Sequence, residues 1–293
     1  LHGFRCQCYA DDTQLYFHLK PQDTAPATDR LEQCINDIHA WLASNRLRLN
    51  PDKTEFMWCS SARRAGTFPQ PTLSVGGTNI SASQSVRDLG VMLRSDLSMT
   101  DQLAAVVRSC YYNIRQLRAI RSSLTRDALR DAAYALVLSR LDYCNALYVN
   151  MPDSIMQQLQ MLINTAARVI SGRGRFCSIT DFIRDNLHWL PAKQRVHFKI
   201  ATLVYKSQHG LTPSYITELI VPSSTVSCRV GQRSASGSTM IVPRHRTKFA
   251  ERAFAVAGPS IWNSLPQDIC DAPTLSVFRS RLKKYLFELA YFM

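Results

Sequence analysis

The sequence predicts an α+β protein in which a strand-rich amino-terminal part is followed by helices. Residues 1–98 contain short β-prone segments separated by turn signals. From Thr100 onward, apolar residues instead recur at helical spacing over long stretches. Alternation with a period of two is typical of strands, whereas spacings of three and four are typical of helices. The change of period near residue 100 therefore indicates a change of architecture.

Most of the predicted strands lie on either side of one predicted helix. Segments 4–9 and 13–18 flank the polar tip of "CQCYADDTQLYF", which predicts a hairpin. The helix follows, because Asp29 stands three residues before Glu32, as in a capping box, and an apolar stripe continues to Leu42. Further strands are predicted for "TEFMW", for "TLSVGGTNI" with its Gly-Gly turn, and for "VRDLGVML".

The second part of the chain is predicted to be helical. Long helices are expected over residues 100–121, 125–148, 153–170, 191–210 and 274–290. Asp153 is expected to cap one of them, which Gly172 ends, and Pro191 opens another at a position that favours proline. Residues 222–239 are rich in Ser, Gly and Thr, which predicts a mobile linker.

The composition favours two or three domains and an anionic partner. The 293 residues are 46% hydrophobic, which is enough for real cores. Lys and Arg total 35 against 22 acids, and the resulting charge of +13 suggests nucleic acid or a membrane surface. Nucleic acid is the better hypothesis, and no membrane partner is expected, because no apolar run has the length of a membrane span. The nine scattered cysteines are interpreted as reduced thiols of an intracellular protein.

Asp11 and Asp12 place two like charges side by side at the predicted hairpin tip. Asp is common in turns, so the pair can be explained as hydrated turn residues. A metal site is the sharper explanation, because two-metal phosphoryl transfer needs carboxylate oxygens grouped on rigid strand ends. Bound Mg²⁺ would also offset the repulsion between the two charges. The pair by itself favours the hydrated turn, and the metal site depends on the surrounding segments.

The order of segments around this pair resembles the palm of a reverse transcriptase of LINE-type (non-LTR) retrotransposons. "YADD" on a hairpin is followed by an amphipathic helix, by "LRLNPDKTEFM" and by a strand with "LGV". The resemblance continues through "SRLDYCNALY", "LHWLPAKQRVHFKI", "AGPSIWNSLPQDI" and "LSVFRSRLKKYLF", so it covers essentially the whole chain. It implies the C-terminal portion of an RNA-directed DNA polymerase that uses Mg²⁺ (or Mn²⁺), dNTPs, an element RNA template and a DNA primer or target.

The resemblance implies roles for individual residues. Asp11 and Asp12 occupy the metal-binding carboxylate positions, and Asp11 is the stronger candidate for a direct ligand. Lys53 matches the lysine that is proposed to protonate the departing pyrophosphate, although its spacing alone favours an ordinary solvent-exposed lysine in a turn. The residues expected beside the primer are Tyr9 and Ala10 beneath its terminus, and Leu89, Gly90 and Val91 in the strand that grips it. Gly90 would permit close backbone approach, and a bulge glycine is the alternative.

Part of the family's site is expected to be missing from this chain. The third carboxylate and the fingers of the family precede the hairpin, and the chain begins inside a strand pattern without an initiator Met. Asp88 and Asp142 lie in downstream segments and are not expected to replace that carboxylate. Because Mg²⁺ demands near-octahedral oxygen coordination, the chain alone is expected to bind metal weakly and not to polymerise DNA.

A second candidate surface is a set of arginines on the helix predicted at 100–121. Arg108, Arg115, Arg118 and Arg121 recur at spacings of seven, three and three, which predicts one stripe off the apolar seam. An ordinary hydrated helix face is one explanation. The lack of acids from 102 to 126 and the resemblance to a helical thumb favour contacts with phosphates of a template–primer duplex.

Another basic cluster, Arg244, Arg246 and Lys248, follows the Ser/Gly-rich segment. It is predicted to hold element RNA, with Phe249 as a residue that stacks on an unpaired base. The basic residues of the terminal helix have a simpler explanation. They flank an apolar face, because Phe278 and Leu282 repeat at core spacing.

Six segments are predicted on this basis. They are a partial palm with the YADD hairpin (1–60), a primer-grip-like β region (61–98), a helical thumb (99–172), a helical extension (173–221), a flexible basic linker (222–247) and a small C-terminal unit (248–293). The resemblance implies an intracellular location, in a cytoplasmic ribonucleoprotein and in the nucleus. The oligomeric state is left open.

Two other interpretations are compatible with these patterns. A truncated or co-opted relic would keep the thumb and the tail as non-catalytic surfaces that bind nucleic acid. A genomic fragment without any function also fits every pattern described above.

Overall fold

A computed structural model describes residues 2–60, 71–225 and 239–292 of the chain. These residues form two compact units, of which unit 1 ends at Gln102 and unit 2 begins at Leu103. Small antiparallel sheets lie in unit 1, and helices make up most of the described part of unit 2. The predicted α+β class is therefore confirmed. The six predicted segments are finer than the two units and stay a prediction.

The described strands of unit 1 form antiparallel hairpins. Their bounds are β1 Arg5–Tyr9, β2 Asp12–Tyr16, β3 Thr72–Val75, β4 Thr78–Ser81, β5 Ser85–Asp88 and β6 Val91–Arg94. Each strand pairs with its neighbour in sequence, as β1–β2, β3–β4 and β5–β6. The hairpins predicted at the acid pair and at the two glycines are confirmed. Gly76 and Gly77 have φ of +57° and +84°, the left-handed geometry that a two-residue hairpin turn requires.

Two strand predictions are wrong. Residues 54–60 form no strand, although the Phe56 carbonyl accepts a hydrogen bond from the Ser83 N–H at 2.8 Å. The segment "VRDLGVML" is not one strand, because Leu89 and Gly90 form the turn between β5 and β6. Alternating apolar residues favour extended backbone, but they do not reveal whether that backbone finds a ladder partner or reverses direction.

The helix of unit 1, α1, spans Thr24–Ser44 and so begins before the predicted capping box at Asp29. Pro26 is accommodated because it lies in the first turn, where no backbone N–H is needed. Glu32 does not cap the helix; its carboxylate accepts a hydrogen bond from the Ser74 N–H at 2.7 Å and ties α1 to β3. The core of unit 1 consists of Phe4, Leu31, Cys34, Ile35, Leu73 and Val75.

The remaining helices follow in chain order. They are α2 (Thr100–Ala119), α3 (Arg126–Ala133), α4 (Ser139–Asp142), α5 (Asp153–Ser171), α6 (Thr180–Phe182), α7 (Ala192–Gln208), α8 (Ser214–Thr217), α9 (Phe254–Asn263), α10 (Gln267–Cys270) and α11 (Leu275–Tyr291). The helix predicted at 125–148 is interrupted, because a π-helical stretch at Tyr134–Leu138 separates α3 from α4.

The ends of several helices agree with the sequence signals. The Thr125 hydroxyl caps α3 by accepting from the Ala128 N–H at 3.2 Å, and Gly172 ends α5 with φ of +76°. Asp153, the expected cap of α5, is instead its first residue, and Pro152 holds the cap position. The shift of one residue fits an acid in the first turn, where the helix dipole favours negative charge.

The core of unit 2 joins α7 to α9, α10 and α11. The rings of Tyr205 and Phe278 stack with centroids 4.3 Å apart, and Trp262 stacks on Phe278 at 5.7 Å. The Tyr205 hydroxyl donates to the Ala272 carbonyl at 2.9 Å, which satisfies its polar end inside the core. Helices α9, α10 and α11, which the sequence assigned to a small C-terminal unit (248–293), therefore share one core with α7.

Residues 226–238 of the predicted linker lie outside the described residues. The described residues on either side pair in an antiparallel bridge between Pro222 and Met240. The Asn263 side-chain amide forms two hydrogen bonds with the Met240 backbone. It accepts from the N–H and donates to the carbonyl, both at 2.8 Å. None of the helices in the described part of the chain combines the length and hydropathy that crossing a bilayer requires.

Candidate nucleic-acid interface

The acid pair lies at the tip of the β1–β2 hairpin. The register pairs Tyr9 with Asp12, so Ala10 and Asp11 are the two turn residues and Asp12 begins β2. Ala10 has φ of +53°, a left-handed conformation that two-residue hairpin turns use. All four residues are exposed, Tyr9 to 67%. The fold thus presents both carboxylates where a cation or a nucleic-acid strand can reach them.

The hairpin has one packed face and one open face. Residues that oppose each other, or that stand two apart, share a face, so Asp12 lies with Tyr9 and Gln14. The other face contributes Leu15, which packs on the core of unit 1. On the open face the Gln14 amide donates a hydrogen bond to the Asp88 carboxylate at the end of β5. This bond brings the acid-bearing hairpin and the β5–β6 turn together.

The β5–β6 turn contains the residues predicted to grip the primer. Leu89 and Gly90 are its two central residues, with φ of +44° and +84°. Gly90 therefore serves a tight turn, and neither a straight strand nor a bulge. Leu89 is 42% exposed, whereas Val91 is only 5% exposed, so the Val91 side chain belongs to the interior. A leucine held in left-handed geometry costs about 1–2 kcal/mol, which makes Leu89 an unusual choice at this position.

The described residues do not by themselves form a divalent-metal site. In the described ranges, no three or more His, Cys, Asp or Glu side chains are grouped so that they could hold a metal ion. Two carboxylates fall short of the six oxygens that Mg²⁺ prefers, so the described residues alone do not fit the ion. Asp88 is bonded to Gln14, and the Oδ2 atom of Asp142 lies 2.7 Å from the Arg195 Nη1 atom.

Lys53 stands in an exposed turn, as the sequence predicted. The turn spans Pro51–Lys53, and the Asn50 side chain holds it by accepting from the Asp52 N–H at 3.0 Å. Within the described residues, no hydrogen bond or ion pair joins Lys53 to Asp11 or Asp12. The structure leaves its ammonium group exposed to solvent.

The predicted arginine stripe lies on the exposed face of α2 and the turn after it. Arg108, Arg115 and Arg118 are exposed on the helix, and Arg121 lies beyond its end, in the turn Arg121–Ser123. The opposite face of α2 is buried through Cys110, Ile114 and Leu117. Among the described residues, no carboxylate forms an ion pair with any of the four arginines. Their charge is therefore available to an external anion.

Three exposed side chains near this surface were missed by the sequence analysis. Tyr112 is 57% exposed and stands four residues after Arg108 and three before Arg115, which places it between them on α2. Arg126 begins α3, and Phe176, in the segment after α5, is 97% exposed. The spacing of Tyr112 was a usable signal. Phe176 had none, because a single phenylalanine in a short segment is more often buried.

The cluster Arg244, Arg246 and Lys248 is also exposed. Its neighbour His245 has its Nε2 atom 3.7 Å from a Glu251 oxygen, so part of the local charge is balanced. Phe249 is 52% exposed, and the Arg252 guanidinium carbon lies 5.3 Å from its ring centroid. The cluster presents positive charge beside an aromatic ring, as the sequence predicted, and its ligand stays a prediction.

The described cysteines fit the interpretation as reduced thiols. Each of them is free, including Cys6 and Cys8, whose sulfur atoms lie 3.6 Å apart on β1. Burial raises the pKa of the Cys110 thiol to about 11, which keeps it protonated at neutral pH. These thiols do not add a ligand to the acid pair.

Comparisons with known proteins give one family-model match and one named relative. Residues 1–93 match a family model described as reverse transcriptase (RNA-dependent DNA polymerase). Over 184 residues the chain is 26% identical to a Drosophila melanogaster protein named "Probable RNA-directed DNA polymerase from transposon BS". That alignment covers 61% of this chain and 20% of the relative, so the chain spans about a fifth of the relative's length. No solved structure matches the chain significantly.

These findings support a reverse transcriptase domain in residues 1–93 and, more broadly, a reverse transcriptase family related to a transposon polymerase. The coarse part of the resemblance drawn from the sequence is therefore supported. The LINE type, the C-terminal position and the roles of single residues stay predictions.

Proposed function

We propose that the chain is part of the RNA-directed DNA polymerase of a LINE-type retrotransposon, with polymerase residues in unit 1 and a duplex-binding surface in unit 2. The observation that carries the proposal is the β1–β2 hairpin. It lies within the segment that matches the reverse transcriptase family, and it presents Asp11 and Asp12 at an exposed turn. The name of the transposon relative supports the same class.

Unit 1 would supply part of the catalytic site of the intact polymerase. Asp11 and Asp12 would hold divalent cations, Mg²⁺ or Mn²⁺, together with ligands from outside the described residues. In this class of reaction, bound cations support attack of a primer 3′-hydroxyl on the α-phosphate of a dNTP. Lys53 would protonate the departing pyrophosphate. Its exposed position supports this role: within the described residues the Lys53 ammonium group forms no ion pair, so it can contact a bound pyrophosphate.

Two further surfaces would hold the nucleic acid. The Leu89–Gly90 turn would grip the primer, and its link to the acid-bearing hairpin through Gln14 and Asp88 supports that role. Arg108, Arg115, Arg118 and Arg121 would contact phosphates of the hybrid formed by template RNA and primer DNA. Such contacts position a duplex without reading its sequence. Arg244, Arg246 and Lys248 would bind element RNA.

The role of the acid pair is tested by primer extension with the intact polymerase that contains this chain. Asp11→Asn keeps the size of the side chain and removes its charge, so Mg²⁺-dependent synthesis is expected to fall at least a hundredfold. Asp29→Asn removes the same charge from an exposed position on α1 and is the matched control. Synthesis by Asp11→Asn at the rate of the control would refute the assignment.

A second candidate function is non-catalytic binding of nucleic acid by a relic of such a polymerase. The exposed arginines favour it, because they need no metal to bind phosphates. The incomplete carboxylate group among the described residues points the same way. The 293-residue chain alone is expected to bind an RNA–DNA hybrid in the presence of EDTA and to extend no primer. Primer extension by the chain alone would rule this candidate out.

A further inference from the structure

A basic pocket in unit 2 lies where the end of α2, the start of α3 and the end of α5 meet. Its volume is about 490 Å³, and its lining includes Arg118, Arg121 and Arg126 together with the apolar Leu124, Leu129 and Ile170. Within the described residues, none of the three arginines forms an ion pair. The pocket therefore combines uncompensated positive charge with an apolar surface, a combination that fits a nucleotide.

The loop that follows α5 begins beside this pocket. Gly172, the first residue after α5, lies so close to Arg121 that a Cβ atom built on it would overlap the guanidinium group. The Cys177 N–H donates to the Gly174 carbonyl at 3.2 Å, which closes a turn with Arg175 and Phe176 at its centre. The loop thus begins beside Arg121 and carries Arg175 and Phe176 at its turn.

Hydrogen bonds and a ring contact of Arg173 hold the first residues of this loop, whereas Phe176 at its tip does not pack on the core. The Arg173 guanidinium donates to the Ser178 carbonyl at 3.0 Å and lies 5.7 Å from the ring centroid of Phe182. The Arg173 N–H donates to the Ser171 hydroxyl at 3.2 Å. Phe176 at the tip is 97% exposed, so its ring contributes almost nothing to folding. The Arg175 guanidinium carbon lies 6.0 Å from the ring centroid and leaves nearly the whole ring exposed, so the ring is available to a ligand.

We propose that the pocket and the loop form one binding site for unpaired nucleotides of a single-stranded nucleic acid. Phe176 stacks on a base, and Arg118, Arg121 and Arg126 bind the adjacent phosphates. Stacking on an exposed ring and a basic groove are the two features that single-strand binding sites combine. In a duplex the bases are already stacked on each other, so Phe176 has no base to receive. The site shares Arg118 and Arg121 with the proposed duplex surface and adds Arg126 and the loop. It rests on the proposed function only for the class of its ligand.

The test compares two labelled probes on the full 293-residue chain by fluorescence anisotropy. The probes are a twelve-nucleotide single-stranded RNA and the RNA–DNA hybrid of the same sequence, and a single-stranded DNA arm shows whether the sugar matters. Phe176→Ala is expected to weaken single-strand binding about tenfold, the effect of losing one stacked base, and to leave the hybrid unchanged. Phe176→Tyr keeps a ring and is expected to bind as the wild type does.

Two matched controls separate the site from general changes of surface. Tyr215→Ala removes a ring that is 50% exposed on α8 and should change nothing. Arg126→Gln should lower the dependence of log Kd on log salt for the single strand by about 0.7, the share of one phosphate contact. Lys283→Gln removes an exposed charge of the same sign from α11 and should leave that dependence unchanged.

Single-strand binding by Phe176→Ala at the wild-type affinity would overturn the proposal, and so would an equal loss for both probes. The duplex surface fails separately. If Arg108→Gln with Arg115→Gln leaves hybrid binding unchanged, the proposed duplex contacts of these two arginines are wrong, while the result for Phe176 still stands.

Discussion

In unit 1 the candidate carboxylates stand on a two-stranded ribbon, whereas in unit 2 the candidate arginines stand on and just after a long helix with a buried face. The ribbon of β1 and β2 is exposed or half-buried along its length and reaches the core mainly through Leu15. Helix α2 buries Cys110, Ile114 and Leu117, each 2% exposed or less. The two sets of residues therefore receive very different support from their own units.

The difference fits the chemistry proposed for each set. Metal ligands must be held within about 0.5 Å of the productive geometry, and a two-stranded ribbon alone holds its tip weakly. Phosphate contacts depend mainly on charge and tolerate small displacements. The arginine surface can thus bind nucleic acid by itself, whereas the acid pair needs further ligands and further support before it can act.

The largest expected effect concerns the core of unit 2. Phe278 is fully buried between Tyr205 and Trp262, so Phe278→Ala is expected to lower the free energy of unfolding by about 3–5 kcal/mol. Phe176→Ala makes the same chemical change at a ring that is 97% exposed and should cost less than about 0.5 kcal/mol. Urea unfolding measures both. Similar losses for the two variants would contradict the core described here.

The next effect tests whether the arginine face works without the acid pair. Arg108→Gln combined with Arg115→Gln should lower the dependence of log Kd on log salt by about 1.8 for an RNA–DNA hybrid, since each phosphate contact contributes about 0.9. Binding measured in EDTA should show the same change, because no metal is needed. An unchanged salt dependence would mean that the arginines face only water.

A smaller effect is expected at the β5–β6 turn of unit 1. Leu89 has φ of +44° and is followed by Gly90, and Asn-Gly is the pair that such turns favour. Leu89→Asn is therefore expected to stabilise unit 1 by about 0.5–1 kcal/mol. Gly90 has φ of +84°, which alanine adopts only with strain, so Gly90→Ala should instead destabilise unit 1. Loss of stability in Leu89→Asn would show that the leucine side chain, and not the backbone, determines the turn.

The smallest effect is a pH dependence in α7. Burial, with a minor contribution from Lys193, lowers the pKa of His197 below its usual 6.5. Below pH 6.5 the unfolded chain therefore binds a proton at His197 more readily than the native protein does. Because this favours the unfolded state, the free energy of unfolding decreases as the pH falls from 6.5 through the lowered pKa. Urea midpoints should fall more steeply below pH 6.5 in the wild type than in His197→Gln. Equal slopes would contradict this explanation.

Local signals in the sequence predicted most of the long helices and two of the hairpins, because caps and turn glycines act within a few residues. The helix α9 was not predicted. Thr125, Thr274 and Gly172 mark the ends of helices as predicted. The predicted start of α1 was wrong, because a capping-box pattern in the interior of a helix has the same sequence as one at the amino-terminal end. The split of "VRDLGVML" was missed, because Leu89 is an atypical residue for left-handed geometry.

The candidate site was predictable only in part for a similar reason. Motif spacing located the acid pair and the arginine stripe, since both are continuous in sequence. The contact of Gln14 with Asp88, and the proximity of Arg121 to Gly172, join residues that are far apart along the chain. A single sequence contains no signal for such contacts.

The most direct test of the account measures synthesis and binding on the same proteins. In the intact polymerase, Asp11→Asn should abolish primer extension and leave the Kd for the RNA–DNA hybrid unchanged, because the acid pair serves chemistry alone. Arg108→Gln with Arg115→Gln should raise the Kd for the RNA–DNA hybrid. The single-turnover rate of the enzyme with bound hybrid should stay near that of the wild type. If Asp11→Asn extends primers normally, or if it loses hybrid binding to the same extent as synthesis, the division of roles between the two units is wrong.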